Sequence, residues 1–335
     1  MIITRAPLRI SFVGGGTDLP DFYRHHGGKV ISSTINQFVH IVLNRTPLVP
    51  KISARYSISE TVNHPSELQH TRIKAMLLDL GITSNLEIAS FGHLPARTGL
   101  GSSSSFSVAL AKALHTYVGK KIDKKAAADA ACRLEIDLLK EPVGKQDQYA
   151  AAFGGFNVFT FHPDETVTVE PVHLDFSARL ALEDGILLFY TGITRDASSV
   201  LHEQRANIHK KIEVLKQMVT QVDQFHAALI AGDLNKMGKI LHEGWQLKRS
   251  LASTLTNSTI DSLYAAGRSG GAYGGKLLGA GGGGCILFIA PPVSHAGIRH
   301  QVSQAAARAN LSDFREIPIE FTQSGAELIF NADHH

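Results

Sequence analysis

The N-terminal half of the chain contains short segments in which apolar and polar residues alternate or β-branched residues cluster, each bounded by glycine or turn residues. This pattern predicts β-strands. The predicted strands are 8–13, 29–35, 38–44 and 85–92, followed by a hairpin of 155–162 and 166–174. Apolar residues at helical spacing predict helices between them. These helices cover 18–26, 66–80, 106–117 and 123–139.

The pattern changes beyond about residue 180. A strand at 185–192 leads into long helical stretches between roughly 196 and 268, and strand-like segments at 276–279 and 285–290 then flank a glycine run. A helix and two short strands close the chain. Because strands and helices do not alternate as regular βαβ units, the pattern predicts an α+β fold. A length of 335 residues exceeds one ordinary core and predicts two domains.

Composition narrows the class of protein. Hydrophobic residues make up 44% of the sequence and charged residues 19%, which indicates a folded globular chain. The net charge of +3, without long runs of like charge, argues against a nucleic-acid binder. Apolar runs no longer than a strand argue against a membrane span, and the first residues lack a signal-peptide pattern, so we expect a cytoplasmic protein. Cys132, Cys285 and the histidines form no metal-ligand spacing.

Three glycine-rich segments carry the candidate chemistry: FVGGGTD at 12–18, TGLGSSSS at 98–105 and KLLGAGGGG at 276–284. Glycine lets backbone N–H groups approach a ligand closely, and the start of the helix after 98–105 favours an anion. The segment 94–106 is therefore interpreted as a phosphate-binding loop or, from composition alone, as a flexible linker. Neither GxGxxG nor GxxxxGK[ST] occurs, which excludes the dinucleotide fingerprint and the P-loop.

Together, APLRISFVGGGTD, PARTGLGSSSSF and KLLGAGGGG resemble the three motifs of the GHMP superfamily, which contains galactokinase, homoserine kinase, mevalonate kinase and phosphomevalonate kinase. The agreement spans residues 6–284. The resemblance implies an N-terminal domain, 1–178, like domain 2 of ribosomal protein S5, and a ferredoxin-like C-terminal domain, 179–335. The cleft between them would bind ATP and a sugar.

The stretches between the motifs are similar to the bacterial heptose 7-phosphate kinases of this superfamily. They are RISFVGGGTDLPDFY, ARYSISETV, EIDLLKEPVGKQDQYAAAFGG, GITRDASSVLHEQ and EGWQLKRSLA. The resemblance implies transfer of a phosphoryl group from ATP, with Mg²⁺, to the anomeric hydroxyl of D-glycero-D-manno-heptose 7-phosphate. The 1,7-bisphosphate formed would feed nucleotide-activated heptose for surface glycans. A kinase for fucose, a hexose or a hexosamine, and a non-catalytic sensor of sugar and nucleotide, remain as alternatives.

The resemblance also assigns residues. Asp147 would accept the proton of the attacking hydroxyl, and Arg9 would orient it. The ATP loop would be Gly99, Leu100, Gly101, Ser102, Ser103 and Ser104. Mg²⁺ would be held by Ser103 and Glu135, with Asp137 as the alternative, because one residue more separates Glu135 from Asp147 than in mevalonate kinase. The substrate would contact Gly15, Gly16, Thr17, Asp18, Gly281 and Gly282.

A substrate that already carries a phosphate needs a second set of cationic donors, and arginine suits bidentate contact. Arg195 follows a predicted strand near the start of a helix and is the first choice, with Lys145, Arg24 and Arg72 as alternatives. The sequence predicts small-molecule partners, a sugar phosphate and ATP, and neither nucleic acid nor a membrane. It leaves the oligomeric state open, with a homodimer as one option.

Overall fold

Two β-sheets organise the chain. The computed structural model describes residues 1–194 and 197–332, with the backbone alone at 197 and 198. The strands are β1 (Ile2–Val13), β2 (Gly28–Arg45), β3 (Ile52–Arg55), β4 (Ser59–Val62), β5 (Leu86–Gly92), β6 (Phe156–Phe161), β7 (Val167–Pro171), β8 (Ile186–Tyr190), β9 (Gly274–Leu277), β10 (Cys285–Ile289), β11 (Arg315–Glu316) and β12 (Glu327–Asn331).

The helices cover the faces of these sheets. They are α1 (Pro20–His26), α2 (Thr71–Asp79), α3 (Ser102–Tyr117), α4 (Lys124–Cys132), α5 (Gln146–Phe153), α6 (Phe176–Asp184), α7 (Ala197–Asn207), α8 (Ile212–Ile230), α9 (Leu234–Arg249), α10 (Ser258–Ser269) and α11 (His295–Arg308). A π-helical segment, Arg133–Leu138, follows α4, and short 3₁₀ turns occur at Pro65–Glu67, Ile208–Lys210, Ser253–Leu255 and Pro292–Ser294. Across the described part of the chain, no helix is long and apolar enough to span a bilayer.

The first sheet has eight strands in the order β12-β1-β2-β5-β3-β4, and the hairpin of β6 and β7 pairs with the first half of β2. The sequence predicts two separate strands where the structure has the single long strand β2. The register between β1 and β2 shifts between Pro7 and Leu8, which pair with Phe38 and Ile35. The two residues left between these partners form a bulge, so β2 bends there instead of ending.

The second sheet has the order β11-β8-β10-β9, and all its pairs are antiparallel. Helices α7 to α10 connect β8 to β9, and α11 connects β10 to β11. This arrangement of β–α–β–β–α–β is ferredoxin-like, as the resemblance to the GHMP superfamily implies. The α+β class with two unlike sheets is therefore confirmed.

The hydrophobic core is continuous between the two sheets. One cluster packs the first sheet against α2 to α5, a second joins both sheets with α8 and α9, and a third packs the second sheet against α10 and α11. Leu8, Ile10 and Phe12 of β1 enter the second cluster. The intervening Arg9 and Ser11 point to the other face, toward α5. Strand alternation thus brings two polar side chains to the point where the sheets meet.

The last strand returns to the first sheet. β12 pairs antiparallel with β1 through Ile2 and Asn331, although the sequence places 327–331 with the second domain. Gly154 makes room for the returning chain, because a Cβ at this residue would lie 2.2 Å from the Ser324 carbonyl carbon. The division at 178/179 stays a prediction, with β12 as the segment that crosses it.

We expect Gly154→Ala to destabilise the protein more than Gly81→Ala. Both glycines have positive φ, +72° and +68°, but a Cβ at Gly81 meets nothing within 4 Å. Gly81→Ala should cost about 1–2 kcal/mol from the left-handed backbone alone. Gly154→Ala should cost about 1–3 kcal/mol more, because the methyl group overlaps the backbone of the returning segment. Urea unfolding of both variants measures the difference, and equal losses would contradict this account of β12.

Candidate active site

The loop before α3 is held tightly, which contradicts the linker interpretation. Gly99 and Gly101 have φ of +80° and +75°, where a side chain is unfavourable, and Leu100 between them is fully buried. Gly101 is the N-cap of α3 and provides no side-chain acceptor for the first helical N–H groups. These amides therefore lack a capping partner at the positive end of a helix, which is the arrangement that binds an anion.

Arg9 connects this loop to Asp147. Its backbone N–H donates to the Leu100 carbonyl at 2.9 Å, and Nη1 donates to the Gly99 carbonyl at 2.7 Å. Nε and Nη2 donate to the two carboxylate oxygens of Asp147, each at 2.7 Å. The side chain of Arg9 is 3% exposed, whereas that of Asp147 is 25% exposed. The pair is thus anchored in the protein and open at the carboxylate, as a catalytic base requires.

A second carboxylate lies beside this pair. Asp18 is buried and accepts hydrogen bonds from the backbone N–H groups of Gly16, at 3.0 Å, and Gln146, at 3.2 Å. Burial raises the pKa of Asp18, and the negative charge of Asp147 raises it further, while the backbone donors oppose both effects. Gly144 is required here, because a Cβ would lie 2.0 Å from Oδ2 of Asp18.

The sequence does not indicate the role of Gln146. Its side-chain oxygen accepts a hydrogen bond from Ser11 at 2.9 Å, and its amide nitrogen lies 3.4 Å from Oδ1 of Asp18. It therefore links β1, the first glycine segment and α5. Gly15 faces the same two side chains, since a Cβ there would lie 3.5 Å from Ser11 Oγ and 3.6 Å from Gln146 Nε2. The motif GKQDQY contains this residue, but an amide next to a catalytic aspartate carries no signal by itself.

Direct sugar contact by Thr17 is not supported. Its side chain is fully buried, and its hydroxyl lies 2.8 Å from the Gly14 carbonyl and accepts from the Lys29 N–H at 3.0 Å. Thr17 therefore holds the turn against β2, while Gly16, with φ of +104°, follows the open side of the same turn. A polar residue at a tight turn serves backbone groups as often as ligands.

The third glycine segment packs directly on the phosphate-binding loop. A Cβ at Gly279 would lie 2.6 Å from the Gly99 Cα, and one at Gly284 would lie 2.6 Å from the Thr98 carbonyl. The predicted contact residues, Gly281 and Gly282, instead face Leu255: a Cβ at Gly281 would lie 2.5 Å from its side chain, and the Gly282 N–H donates to its carbonyl at 2.9 Å. In this segment the glycines allow close approach of backbone to backbone.

Two buried lysines reach the site from the second sheet. Lys248, on α9, donates to the Gly279 carbonyl at 2.6 Å, and Lys276, on β9, donates to the carbonyls of Ser11 and Phe12 at 3.0 and 2.7 Å. Burial lowers the pKa of Lys248 to about 8, and it lowers the pKa of Lys276 as well.

Neither lysine is predicted from the sequence, although the position of Lys248 in its helix is a signal. Lys248 lies seven residues after the buried Leu241 and three after the buried Trp245, so it lies on the apolar face of α9.

Glu135 lies in the π-helical segment Arg133–Leu138. The Leu139 N–H bonds to the Leu134 carbonyl five residues earlier, so this turn contains one residue more than an α-helical turn. Such a turn accommodates the additional residue that separates Glu135 from Asp147 in this sequence. It also directs Glu135 inward, where the residue is 1% exposed. Asp137 is exposed on the other side of the segment. The geometry therefore favours Glu135 over Asp137.

The partners of Glu135 differ in part from the predicted ones. Oε2 accepts hydrogen bonds from Ser104 Oγ at 2.9 Å and from Gln148 Nε2 at 2.6 Å, and Arg72 Nε lies 3.7 Å from Oε1. Oε1 is buried without a hydrogen-bond partner, so it is free to bind a ligand. Ser103 is exposed at the start of α3. Within the described residues, no cluster of three or more acidic, histidine or cysteine side chains forms a complete metal site.

Three of the candidate cations for the substrate phosphate, Arg24, Lys145 and Arg72, are paired with carboxylates. Arg24 and Lys145 contact Glu165 at 2.5 Å each and line a cavity of about 390 Å³. Burial raises the pKa of Glu165, but hydrogen bonds from Lys145, Tyr23 and Arg24 outweigh it and lower that pKa to about 2. Arg72 contacts Glu141 at 2.6 Å. Arg195, the first choice for the substrate phosphate, lies outside the described residues.

The comparisons with known proteins cover both halves of the chain. The sequence pattern of the GHMP kinases N terminal domain matches residues 69–155, and that of the GHMP kinases C terminal matches residues 225–309. These matches cover half of the chain between them and include α3, Glu135, Asp147 and Lys248.

Individual relatives agree with this. The chain is 27% identical to a D-glycero-alpha-D-manno-heptose 7-phosphate kinase of Campylobacter jejuni, over 87% of this chain and 90% of that protein. It is 25% identical to an L-fucokinase/L-fucose-1-P guanylyltransferase of Bacteroides fragilis, over 85% of this chain but 34% of that longer protein.

A solved structure shows the same fold. The structure of a D-glycero-D-manno-heptose 1-phosphate kinase from Bacteroides thetaiotaomicron superimposes with a TM-score of 0.76, covering 97% of this chain and 98% of that one at 24% identity.

Proposed function

The chain belongs to the GHMP kinase family and is a phosphotransferase acting on a sugar hydroxyl, and we propose that its acceptor is the anomeric hydroxyl of D-glycero-D-manno-heptose 7-phosphate. The product is the 1,7-bisphosphate, used to make nucleotide-activated heptose. Similarity to the heptose 7-phosphate kinase over 87% of the chain supports this substrate. The compartment is the cytoplasm, where ATP is available.

The observation that carries the proposal is the bidentate pair of Arg9 and Asp147 beside the loop of Gly99. In the reaction, the acceptor oxygen forms a bond to the γ-phosphorus of ATP, and the bond from that phosphorus to the bridging oxygen breaks. The electron pair of the broken bond leaves with ADP, and the acceptor proton passes to Asp147. Arg9 keeps the carboxylate directed at the acceptor, because it donates to both oxygens from one side.

The uncapped N–H groups at the start of α3 bind the ATP phosphates, with Ser102, Ser103 and Ser104 close by. Oε1 of Glu135 accepts no hydrogen bond and fits a divalent cation, so Glu135 and Ser103 would hold Mg²⁺. Mg²⁺ prefers oxygen ligands and keeps water and phosphate oxygens in its shell, so two protein ligands suffice. When bound, it neutralises charge on the phosphates.

The sugar binds where the first glycine segment meets α5. Asp18 and Gln146 offer oxygen and nitrogen atoms for sugar hydroxyls, and Gly15 and Gly16 leave room for the ring. Arg195 remains our proposal for the phosphate already on the substrate, on sequence grounds alone. The alternative residues, Arg24, Lys145 and Arg72, are less available to bind this phosphate, because each is paired with a carboxylate.

A second candidate acceptor is L-fucose. The similarity to the fucokinase of Bacteroides fragilis over 85% of the chain supports it. A non-catalytic sensor is disfavoured, because a sensor has no need for an aspartate held open by a buried arginine.

The acceptor is tested by incubating the protein with MgATP and a panel of sugars. We expect turnover of D-glycero-D-manno-heptose 7-phosphate, measured by coupled ADP release, with phosphorus NMR showing a new phosphate at the anomeric carbon. The panel includes the unphosphorylated heptose, L-fucose, galactose and a hexosamine. Equal turnover of the phosphorylated and unphosphorylated heptose would refute recognition of the substrate phosphate. Preferential turnover of L-fucose would establish the second candidate.

We expect Asp147→Asn to lower kcat by ~10² or more, because the amide cannot accept the proton of the acceptor. ATP binding, measured by calorimetry, should persist, since the loop of Gly99 keeps its contact with Arg9. Asp313→Asn is the control: Asp313 forms an exposed ion pair with Arg315 far from the loop in sequence. Unchanged kcat in Asp147→Asn would remove this residue from the mechanism.

We expect Glu135→Gln to raise the Mg²⁺ concentration needed for half-maximal activity by roughly tenfold or more, because the variant loses the charged oxygen at the proposed metal site. The glutamine keeps the shape of the side chain, which limits the effect on packing. Glu170→Gln, at an exposed residue of β7, serves as the control. An unchanged Mg²⁺ dependence would exclude Glu135 as a ligand.

A further inference from the structure

Lys248 is a buried cation for which the described residues provide one hydrogen-bond acceptor. The residue is 6% exposed, and its Nζ donates to the Gly279 carbonyl at 2.6 Å. An ammonium group has three N–H donors, so two remain without an acceptor in the described part of the protein. Lys276, the other buried lysine of the site, donates to two carbonyls. A buried lysine is costly unless its charge is paired, so the arrangement at Lys248 indicates an absent anion.

The position of Lys248 identifies which anion it would contact. The peptide of Gly279 packs on Gly99, where a Cβ would lie 2.6 Å from the Gly99 Cα, and the Gly99 carbonyl accepts from Arg9. Lys248 therefore lies one peptide away from the loop that we assign to the ATP phosphates, on the side of the second sheet. Arg9 in turn holds Asp147. The ammonium thus approaches the place where nucleotide and acceptor meet.

The charges around Lys248 favour an anion over a neutral sugar oxygen. The charged groups that act on it are Arg9 from β1, Asp18 from the first glycine segment and Asp147 from α5. The charge of Lys248 in turn lowers the pKa of Lys276 on β9. Arg9 already pairs with Asp147, and burial raises the pKa of Asp18, which favours its neutral form. Burial and the positive charge of Arg9 lower the pKa of Lys248 to about 8, although Asp18 and Asp147 oppose them. The Lys248 ammonium, which donates to one neutral carbonyl, therefore suits a phosphoryl group.

We propose that Lys248 is a further catalytic residue of this site, whose ammonium donates to the oxygens of the phosphoryl group as it passes from nucleotide to acceptor. The proposal rests on the function proposed above. During transfer, charge spreads over the three equatorial oxygens of that group, and a fixed donor there lowers the barrier. The lysine forms no covalent bond. It adds α9, a helix that packs on the second sheet, to an active site otherwise formed by elements of the first sheet and its helices.

The test compares Lys248→Met and Lys248→Arg with Lys239→Met, an exposed lysine on the same helix. We expect Lys248→Met to lower kcat by ~10²–10³, the loss typical of removing one such donor. Lys248→Arg should recover part of the rate, because it retains the charge. Lys239→Met should match the wild type. A Lys248→Met variant that unfolds at the same temperature as the wild type and keeps kcat within about threefold would overturn the proposal.

The pH profile separates catalysis from a structural role. Since the pKa of Lys248 is lowered to about 8, its charge is present below that pH and lost above it. We expect kcat/KM for MgATP to fall in the wild type above pH 8 or so, and this fall to move to higher pH in Lys248→Arg. A lysine whose only role is to hold Gly279 would donate a hydrogen bond to the Gly279 carbonyl whether it is charged or neutral. An identical alkaline limb in both proteins would therefore contradict the proposal, even if Lys248→Met did not fold.

A binding measurement distinguishes failure of this proposal from failure of the proposed function. Calorimetry with MgADP and aluminium fluoride, which mimics the transferred phosphoryl group, needs no turnover of a sugar. We expect Lys248→Met to bind this mimic at least about tenfold more weakly than the wild type, and Lys239→Met to bind it equally. Equal binding by Lys248→Met would overturn the role of Lys248. No turnover of any sugar by the wild type would refute the proposed function and leave this binding result valid.

Discussion

The buried guanidinium of Arg9 is the group on which the arrangement of the site depends. A cation removed from water is unfavourable unless its donors are matched by acceptors in good geometry. Here the acceptors are the Gly99 carbonyl and both oxygens of Asp147, and the backbone N–H of Arg9 also holds Leu100. β1, the phosphate-binding loop and α5 must therefore come together in one way. The same contacts leave the Asp147 carboxylate accessible. The pair of Arg9 and Asp147 therefore both holds these elements together and presents the catalytic base.

Glycines lie at the contact between the third glycine segment and the phosphate-binding loop. Both halves of the chain therefore form the cleft. Gly279 packs on Gly99 and Gly284 packs on Thr98 at distances that exclude a Cβ. Lys276 adds two hydrogen bonds from β9 to the end of β1. Close backbone contact of this kind needs a fixed orientation of the sheets, which the shared hydrophobic core provides. A substitution at Gly99, Gly279 or Gly284 should therefore disturb both the packing between the sheets and the geometry of the active site.

The electrostatics of the cleft are balanced for a polyanion. The negative charge of Asp147 raises the pKa of Asp18, while Arg9 from β1 and Lys248 from α9 supply positive charge. Enzymes that transfer a phosphoryl group act mainly by positioning and charge stabilisation, so such a distribution fits the kinase family to which the chain belongs. The proposed role of Lys248 extends this function to the second sheet without a new chemical step.

The sequence by itself determined most of the strands and helices, the α+β class and the three glycine motifs, because these follow from local periodicity and local composition. Through its resemblance to a kinase superfamily, it also paired Arg9 with Asp147. The tertiary structure alone decided that β12 joins the first sheet, that a π-helical turn directs Glu135 inward, and that Gln146 and Lys248 reach the site. The physical reason is that a buried polar side chain is defined by partners distant in the sequence, which no local pattern records.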